Sequence, residues 1–317
     1  METLKIFITG GTGFVGANLA RFFESIGHDV AITTREESNF WRISEIEKGL
    51  TIFRVDIANR EKVRYAFNSY KPDVVIHTAA FGGRYTEKDD RYIFDVNLNG
   101  TMNVVETFLE SNSDILINTG TSSEYGFKTT AMREDDVLEP YGSYAVSKAS
   151  ATLYCRSRAI ESSRKIGTLR LFSPYGYYEE SHRLIPYVLT SLLMDRAIEA
   201  NNPYNVRDFI FIEDVENAYN EMIKGMSKIE EGEIFNLGSG MQSSVKQIIE
   251  ISERISGKKV NVEWGRNIER IGDQAKRWVA NTTKIYNTLR WKKKYTLEEG
   301  ISKTYGWLKE NISKYKR

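Results

Sequence analysis

The chain has 317 residues, about twice the usual size of one domain, so one large domain or two coupled ones are both open. Its 44 Lys and Arg balance 43 Asp and Glu, leaving a net charge of +1, and no long run of like charge forms a tail. That excludes the clustered basic excess of a nucleic-acid protein. The apolar share of 41% is enough for a sizeable soluble core, and only 5 Pro argue against long linkers. One cysteine, Cys155, permits no internal disulfide and fits a reducing compartment. With His28, His77 and His182 it cannot build a usual zinc site, so no metal is expected. No basic stretch followed by an apolar one opens the chain, and no stretch nears ~20 apolar residues. The expectation is a cytoplasmic protein with no membrane partner.

Short apolar runs then alternate with helical patterns. Strands are expected over Leu4–Ile8, Asp29–Thr33, Thr51–Val55, Asp73–His77, Asp114–Asn118 and Gly167–Phe172. Between them lie helices over Phe14–Ile26, Glu61–Ser69, Asp95–Ser111 and Tyr144–Ser162. Strands separated by helices form right-handed βαβ units, and nearly all-apolar strands are buried on both faces. This predicts an α/β fold with a parallel sheet. After Ser173 the pattern loosens. A helix is expected over Arg183–Glu199, a strand over Phe209–Ile212, a helix from Asp214, and amphipathic helices over Val245–Ile255 and Leu297–Asn311. A smaller cap over the sheet's carboxyl edge is the expected use of this part.

Gly10, Gly13 and Gly16 recur every three residues between the first strand and the first helix. Gly10 suits a tight turn, Gly13 lets backbone approach a pyrophosphate, and Gly16 lets helix pack on strand. With Phe14 and Val15 they form a candidate cofactor-binding loop, since a helix N-terminus offers free N–H groups to phosphate. The second strand runs into Arg35-Glu36-Glu37. An acidic residue there takes the adenosine ribose hydroxyls of NAD, whereas an arginine accommodates the 2′-phosphate of NADP. Arg35 comes first and leans towards NADP; the glutamates leave NAD open.

Tyr144 and Lys148 stand four residues apart and share a helix face. A cation beside a phenol favours phenolate, which a tyrosine needs to accept an alcohol proton. The Thr119–Gly126 segment follows a strand that ends at the ligand crevice of a parallel sheet. Thr121 is its candidate hydroxyl partner for Tyr144.

These motifs together resemble the extended short-chain dehydrogenase/reductase superfamily, in the branch acting on nucleotide sugars. The resemblance spans nearly the whole chain. It adds Asp56-Ile57, His77-Thr-Ala79-Ala80, Asn97 with Gly100-Thr101, Arg170-Leu-Phe-Ser173-Pro-Tyr-Gly176, Arg207-Asp208-Phe209 and Asn236–Gly240. It implies a Rossmann-type doubly wound sheet with a smaller C-terminal α+β substrate-binding cap. Residues 1–173 plus about 208–230 would bind the dinucleotide, and about 174–207 plus 231–317 the nucleotide-diphosphate sugar. Asp56 and Ile57 would contact adenine, Ala79 and Ala80 would line the cofactor path, and Lys148 would also hold the nicotinamide ribose. Arg207 and Arg270 would clamp the substrate diphosphate. Ser122, Ser123, Ser173 and Arg183 would face the substrate.

Within that branch, dehydratases follow the catalytic hydroxyl with Asp-Glu. Here Ser122 and Ser123 occupy those positions, which disfavours 4,6-dehydration unless a one-residue gap brings Glu124 into place. Ser123 and His182 also depart from the 3,5-epimerising pattern. What remains is hydride transfer at one carbon, C4, as a 4-epimerase or a 4-keto reductase using NAD or NADP. A dehydratase and a non-catalytic dinucleotide sensor are the competing readings. The resemblance also implies a homodimer through the helices after Asp95 and around Tyr144.

Overall fold

The computed structural model describes residues 2–83, 86–265 and 275–315. Strands β1 (Lys5–Thr9), β2 (Asp29–Thr34) and β3 (Leu50–Arg54) alternate with helices α1 (Phe14–Ser25) and α2 (Arg60–Tyr70). Next come β4 (Val74–His77), α3 (Asp90–Phe94), α4 (Gly100–Leu109), β5 (Ile115–Thr121), α5 (Gly142–Ser162) and β6 (Ile166–Leu171). Strand β11 (Ile234–Leu237) completes a seven-stranded sheet ordered β11-β6-β5-β4-β1-β2-β3, with every pair parallel. The order reverses between β1 and β4, so their carboxyl ends open a crevice where ligands bind in such sheets. This is the parallel α/β sheet expected from the alternation, in the Rossmann-type form that the resemblance implies.

Side-chain alternation along β1 explains the two-sided core. Ile6 and Ile8 pack under α1 with Val30 and Ile32. Phe7 points the other way, into a layer built by Val75, Phe67 of α2 and Val104 of α4. All of these are fully or almost fully buried. His77 ties the sheet to α4. Its Nε2 lies 2.9 Å from the Thr101 hydroxyl, which donates its own proton to the Asn97 carbonyl at 2.6 Å. Nε2 therefore carries the hydrogen, and Nδ1 accepts from Thr9 at 2.7 Å. Burial holds His77 neutral, with its pKa lowered to about 3.

The remaining elements are β7 (Pro174–Tyr175), α6 (Leu184–Leu193), β8 (Ile198–Ala200), β9 (Val206–Asp208), β10 (Ile210–Phe211), α7 (Ile212–Lys224), β12 (Gln242–Ser244), α8 (Val245–Ser256), β13 (Val262–Trp264), α9 (Thr283–Leu289) and α10 (Leu297–Asn311). Three two-stranded pieces, β10-β7, β12-β9 and β13-β8, give this part its α+β character.

Three expectations need correction. The helix expected to reach Glu199 stops at Leu193, because Asp195 takes a left-handed conformation (φ 53°) and Lys258 bonds the Leu192 carbonyl. Residues Ile198–Ala200 then pair with β13. The helix expected from Asp95 opens earlier, at Asp90, and carries a wide π turn at Asp95–Asn99. There Asn97 bonds the Phe81 N–H and carbonyl and the Ser147 hydroxyl. The strand expected over Phe209–Ile212 shrinks to two residues, and α7 starts at Ile212 rather than Asp214.

Candidate active site

A cavity of about 790 Å³ opens along the carboxyl edge of the sheet. The glycine loop forms one end. Gly10 adopts φ +71°, and a Cβ there would sit 2.7 Å from the Ala79 backbone. A Cβ on Gly16 would come 2.4 Å from the Gly10 carbonyl, so α1 can press against the loop only with glycine. Gly13 is the N-cap of α1 and makes no side-chain cap bond. The first turn's N–H groups therefore face the cavity wall formed by Gly10, Gly13, Phe14, Val15 and Gly16. An open amide cradle in front of a 12-residue helix fits a dinucleotide pyrophosphate.

Asp56, Ile57, Ala79 and Ala80 line the same cavity. At the end of β2 both signs of charge face it. Arg35 donates to the Tyr92 hydroxyl at 2.9 Å, and Glu37 stands beside it on the wall. Glu36 instead turns towards Arg54 at 3.7 Å.

The other end carries the Tyr–Lys pair. Tyr144, Lys148, Thr121, Ser122, Ser123, Ser173, Arg183 and Arg207 all line the cavity, and Arg270 lies outside the described residues. Helix α5 sets Tyr144 and Lys148 one turn apart, and Ser147 between them links back to the Tyr144 carbonyl and to Asn97. Thr121 ends β5 beside the Tyr144 phenol and acts to lower its pKa, and its hydroxyl donates to Ser123 at 3.4 Å. Burial raises the phenol pKa. The principal cation acting against burial is Arg183, not Lys148 as the spacing led one to expect. Lys148 is only 3% exposed; desolvation lowers its own pKa, and Glu124 acts to restore it. Glu124 and Glu87 push the phenol further up.

Glu124 is fully buried and spent on structure. Its Oε1 accepts the Thr121 N–H at 2.8 Å and the Thr152 hydroxyl at 3.0 Å, and its Oε2 takes Arg170 Nε at 2.7 Å. It caps the single 3₁₀ turn Ser122–Tyr125 and so fixes where Thr121 points. Trp278 was not anticipated. Its indole N–H donates to Ser122 at 3.0 Å, and the Arg207 guanidinium stacks 4.9 Å over its ring. It sits 156 residues from Ser122, and no local pattern marks it. Arg42 was also missed: it reaches from the loop after β2 to the carbonyls of Thr12 and Tyr178 and to Glu180 at 2.9 Å.

The profile of the NAD-dependent epimerase/dehydratase family matches residues 6–238. A UDP-glucuronate 4-epimerase from Thermodesulfobacterium geofontis is 28% identical over 96% of each chain. The crystal structure of a UDP-glucuronic acid 4-epimerase from Bacillus cereus, in complex with UDP-glucuronic acid and NAD, superposes with a TM-score of 0.86. It is 25% identical and covers 97% of this chain and 100% of its own. A dTDP-glucose 4,6-dehydratase from Bacillus anthracis, in complex with NAD, has the same fold, with a TM-score of 0.87 at 23% identity and 98% coverage of both chains.

Proposed function

Since the chain belongs to the NAD-dependent epimerase/dehydratase family, we infer that it is an NAD-dependent nucleotide-sugar epimerase that inverts C4 of a hexose or hexuronate carried on a nucleoside diphosphate. The observation that carries this reading is that Thr121, Tyr144 and Lys148 line one cavity with the open amide cradle of α1. NAD, when bound, supplies the acceptor and later the donor of the C4 hydride. Gly13, Phe14 and Val15 would hold its pyrophosphate, Asp56 and Ile57 its adenine end, and Glu37 its ribose hydroxyls. Tyr144 takes the C4 hydroxyl proton in the oxidative half and returns it in the reductive half. Thr121 holds the same oxygen in line with the phenol. Lys148 would hold the nicotinamide ribose, and Arg183 supplies the charge that eases the phenol towards its ionised form. Arg207 and Arg270 take the substrate diphosphate.

The dehydratase alternative needs a carboxylate beside Tyr144. Ser122 and Ser123 offer none, and both oxygens of Glu124 are committed. A 4-keto reductase using NADPH is the second reading, favoured by Arg35 on the cavity wall. No described helix is long and apolar enough to cross a membrane, and we place the enzyme in the cytoplasm. We also propose a homodimer through α5, where Leu153 (54% exposed) and Ile160 (52% exposed) are uncovered. Ala145, Ala149, Ala151 and Ala159 of the same helix are buried within the monomer.

Incubating the protein with UDP-glucose and, separately, UDP-glucuronate and following the sugar by proton NMR tests the epimerase reading. The expected result is a C4-inverted product approaching equilibrium without added reductant. Turnover of neither sugar without reductant, with NADPH oxidation on a 4-keto sugar nucleotide, would replace the epimerase by the reductase.

A further inference from the structure

Two irregular segments wall the cavity beside the glycine loop. Residues 36–46 contribute Trp41 and Arg42 to the wall, and residues 177–182 contribute Glu179 and Glu180. Among the described residues, their backbone-to-backbone bonds run only to near neighbours: Ser38 to Arg35, Ile43 to Phe40, Ile46 to Ile43 and Glu179 to Gly176. Segments without a backbone ladder to the core open at low cost, so their closure depends on side chains.

Those side chains come from three distant places. The successive carbonyls of Tyr177, Tyr178 and Glu179 accept from Asn18 at 3.0 Å, Arg42 at 2.7 Å and Tyr315 at 2.8 Å. Asn18 belongs to α1, Arg42 to the first segment, and Tyr315 to the 3₁₀ turn Ile312–Tyr315 that follows α10. The same turn grips the first segment. The Tyr315 ring meets Trp41 edge-on, with 5.7 Å between centroids, and Lys314 pairs with Glu45. Glu45 also accepts from the Tyr178 hydroxyl at 2.6 Å, and Trp41 and Tyr178 pack at 5.9 Å. Arg42 joins the assembly to the glycine loop by donating to the Thr12 carbonyl at 3.2 Å. Tyr178 is left-handed, at φ 62°, a conformation a bulky residue takes only where its surroundings impose it. One short turn, 136 residues from Glu179 and 269 from Glu45, therefore fastens both wall segments.

We propose that Lys314 and Tyr315 are positioning residues of the cofactor site: they latch the two segments together beside the glycine loop, and a bound dinucleotide leaves only when this turn lets go. Neither residue lines the cavity, so both act through Trp41, Glu45 and the Glu179 carbonyl. The proposal rests on the functional reading above and adds to it the means of retention.

Release of NAD from the full-length protein tests this: the protein is loaded with NAD, freed of excess by rapid gel filtration, and sampled over time for NAD that stays bound. Tyr315→Ala should release NAD about tenfold faster than wild type or more, from the loss of one aromatic contact and one hydrogen bond. With excess NAD present, its kcat for C4 inversion should stay within about twofold of wild type, since Tyr315 does not reach the chemistry. Tyr315→Phe keeps the ring on Trp41 and should fall between the two. Lys314→Gln should quicken release less, because its partner Glu45 is half exposed and salt screens the pair. Hydrogen exchange on the wild type reads the same coupling without a variant. Bound NAD should slow exchange in 36–46, 177–182 and 312–315 together, because coupling between two sites is reciprocal.

Release at the wild-type rate from a folded Tyr315→Ala protein would overturn the proposal alone. So would NAD protection confined to the glycine loop, even where the Ala variant failed to fold. Faster release from the variant, in a protein that inverts no sugar, would uphold the latch and overturn the functional reading. A wild type that binds no NAD would overturn both.

Discussion

Replacing Tyr144 with Phe is expected to lower kcat by about 10²–10⁴-fold, the usual worth of a positioned acid–base group. The phenol contributes a proton-transfer group beside Thr121, while its ring fills the same space in either variant. Folding should survive, because α5 is anchored by Asn97, Ser147 and the buried alanines rather than by this hydroxyl. The KM for the sugar nucleotide should move far less than kcat, since the loss falls on the transition state. Steady-state kinetics of C4 inversion beside a urea melt reads both. Unchanged kcat would remove Tyr144 from the chemistry.

Glu124→Gln should act mainly on stability. Glu124 and Arg170 form an ion pair with side chains 0% and 2% exposed. Burial opposes the Arg170 charge, and the attraction of Glu124 and Tyr125 outweighs it, leaving the guanidinium pKa raised. In the variant the amide N–H₂ faces the Arg170 Nε–H, and the cation loses its counter-charge. Breaking a buried pair by removing one partner costs about 3–5 kcal/mol. The denaturation midpoint should fall accordingly, while the properly folded fraction, assayed at low temperature, keeps turnover within a few-fold. A variant with wild-type stability and turnover lost by 10²-fold or more would make Glu124 the acid–base group of a dehydratase.

The sheet was legible because its signals are local. Gly10, Gly13 and Gly16 bracket a turn of a few residues, and strands such as Val74–His77 are apolar runs between helical periods. The Tyr144–Lys148 spacing likewise fixes a shared face within one helix. What escaped the sequence depends on distant packing. Glu124 and Arg170 both stand in recognisable motifs, yet their pairing exists because β5 and β6 are neighbours. That pairing engages Glu124 Oε2, while Oε1 takes the Thr121 N–H, which no counting of residues could show. Trp278 reaches Ser122 from the far end of the chain, and Glu179 acquires its burial only when its loop docks on α1. The overlong helix after Arg183 shows the same limit: apolar spacing continues past Leu193, but Lys258 and the β8–β13 pairing end it.

An epimerase of this kind is expected to keep and recycle its NAD. Freshly purified protein should be denatured, the supernatant chromatographed, and any empty protein titrated with NADH and NADPH. NAD(H) is expected to be retained in near-stoichiometric amount, with Arg35 left to its bond with Tyr92. An empty protein that binds NADPH far more tightly than NADH would contradict it, giving Arg35 a 2′-phosphate to hold and the chain a single-pass reduction to perform.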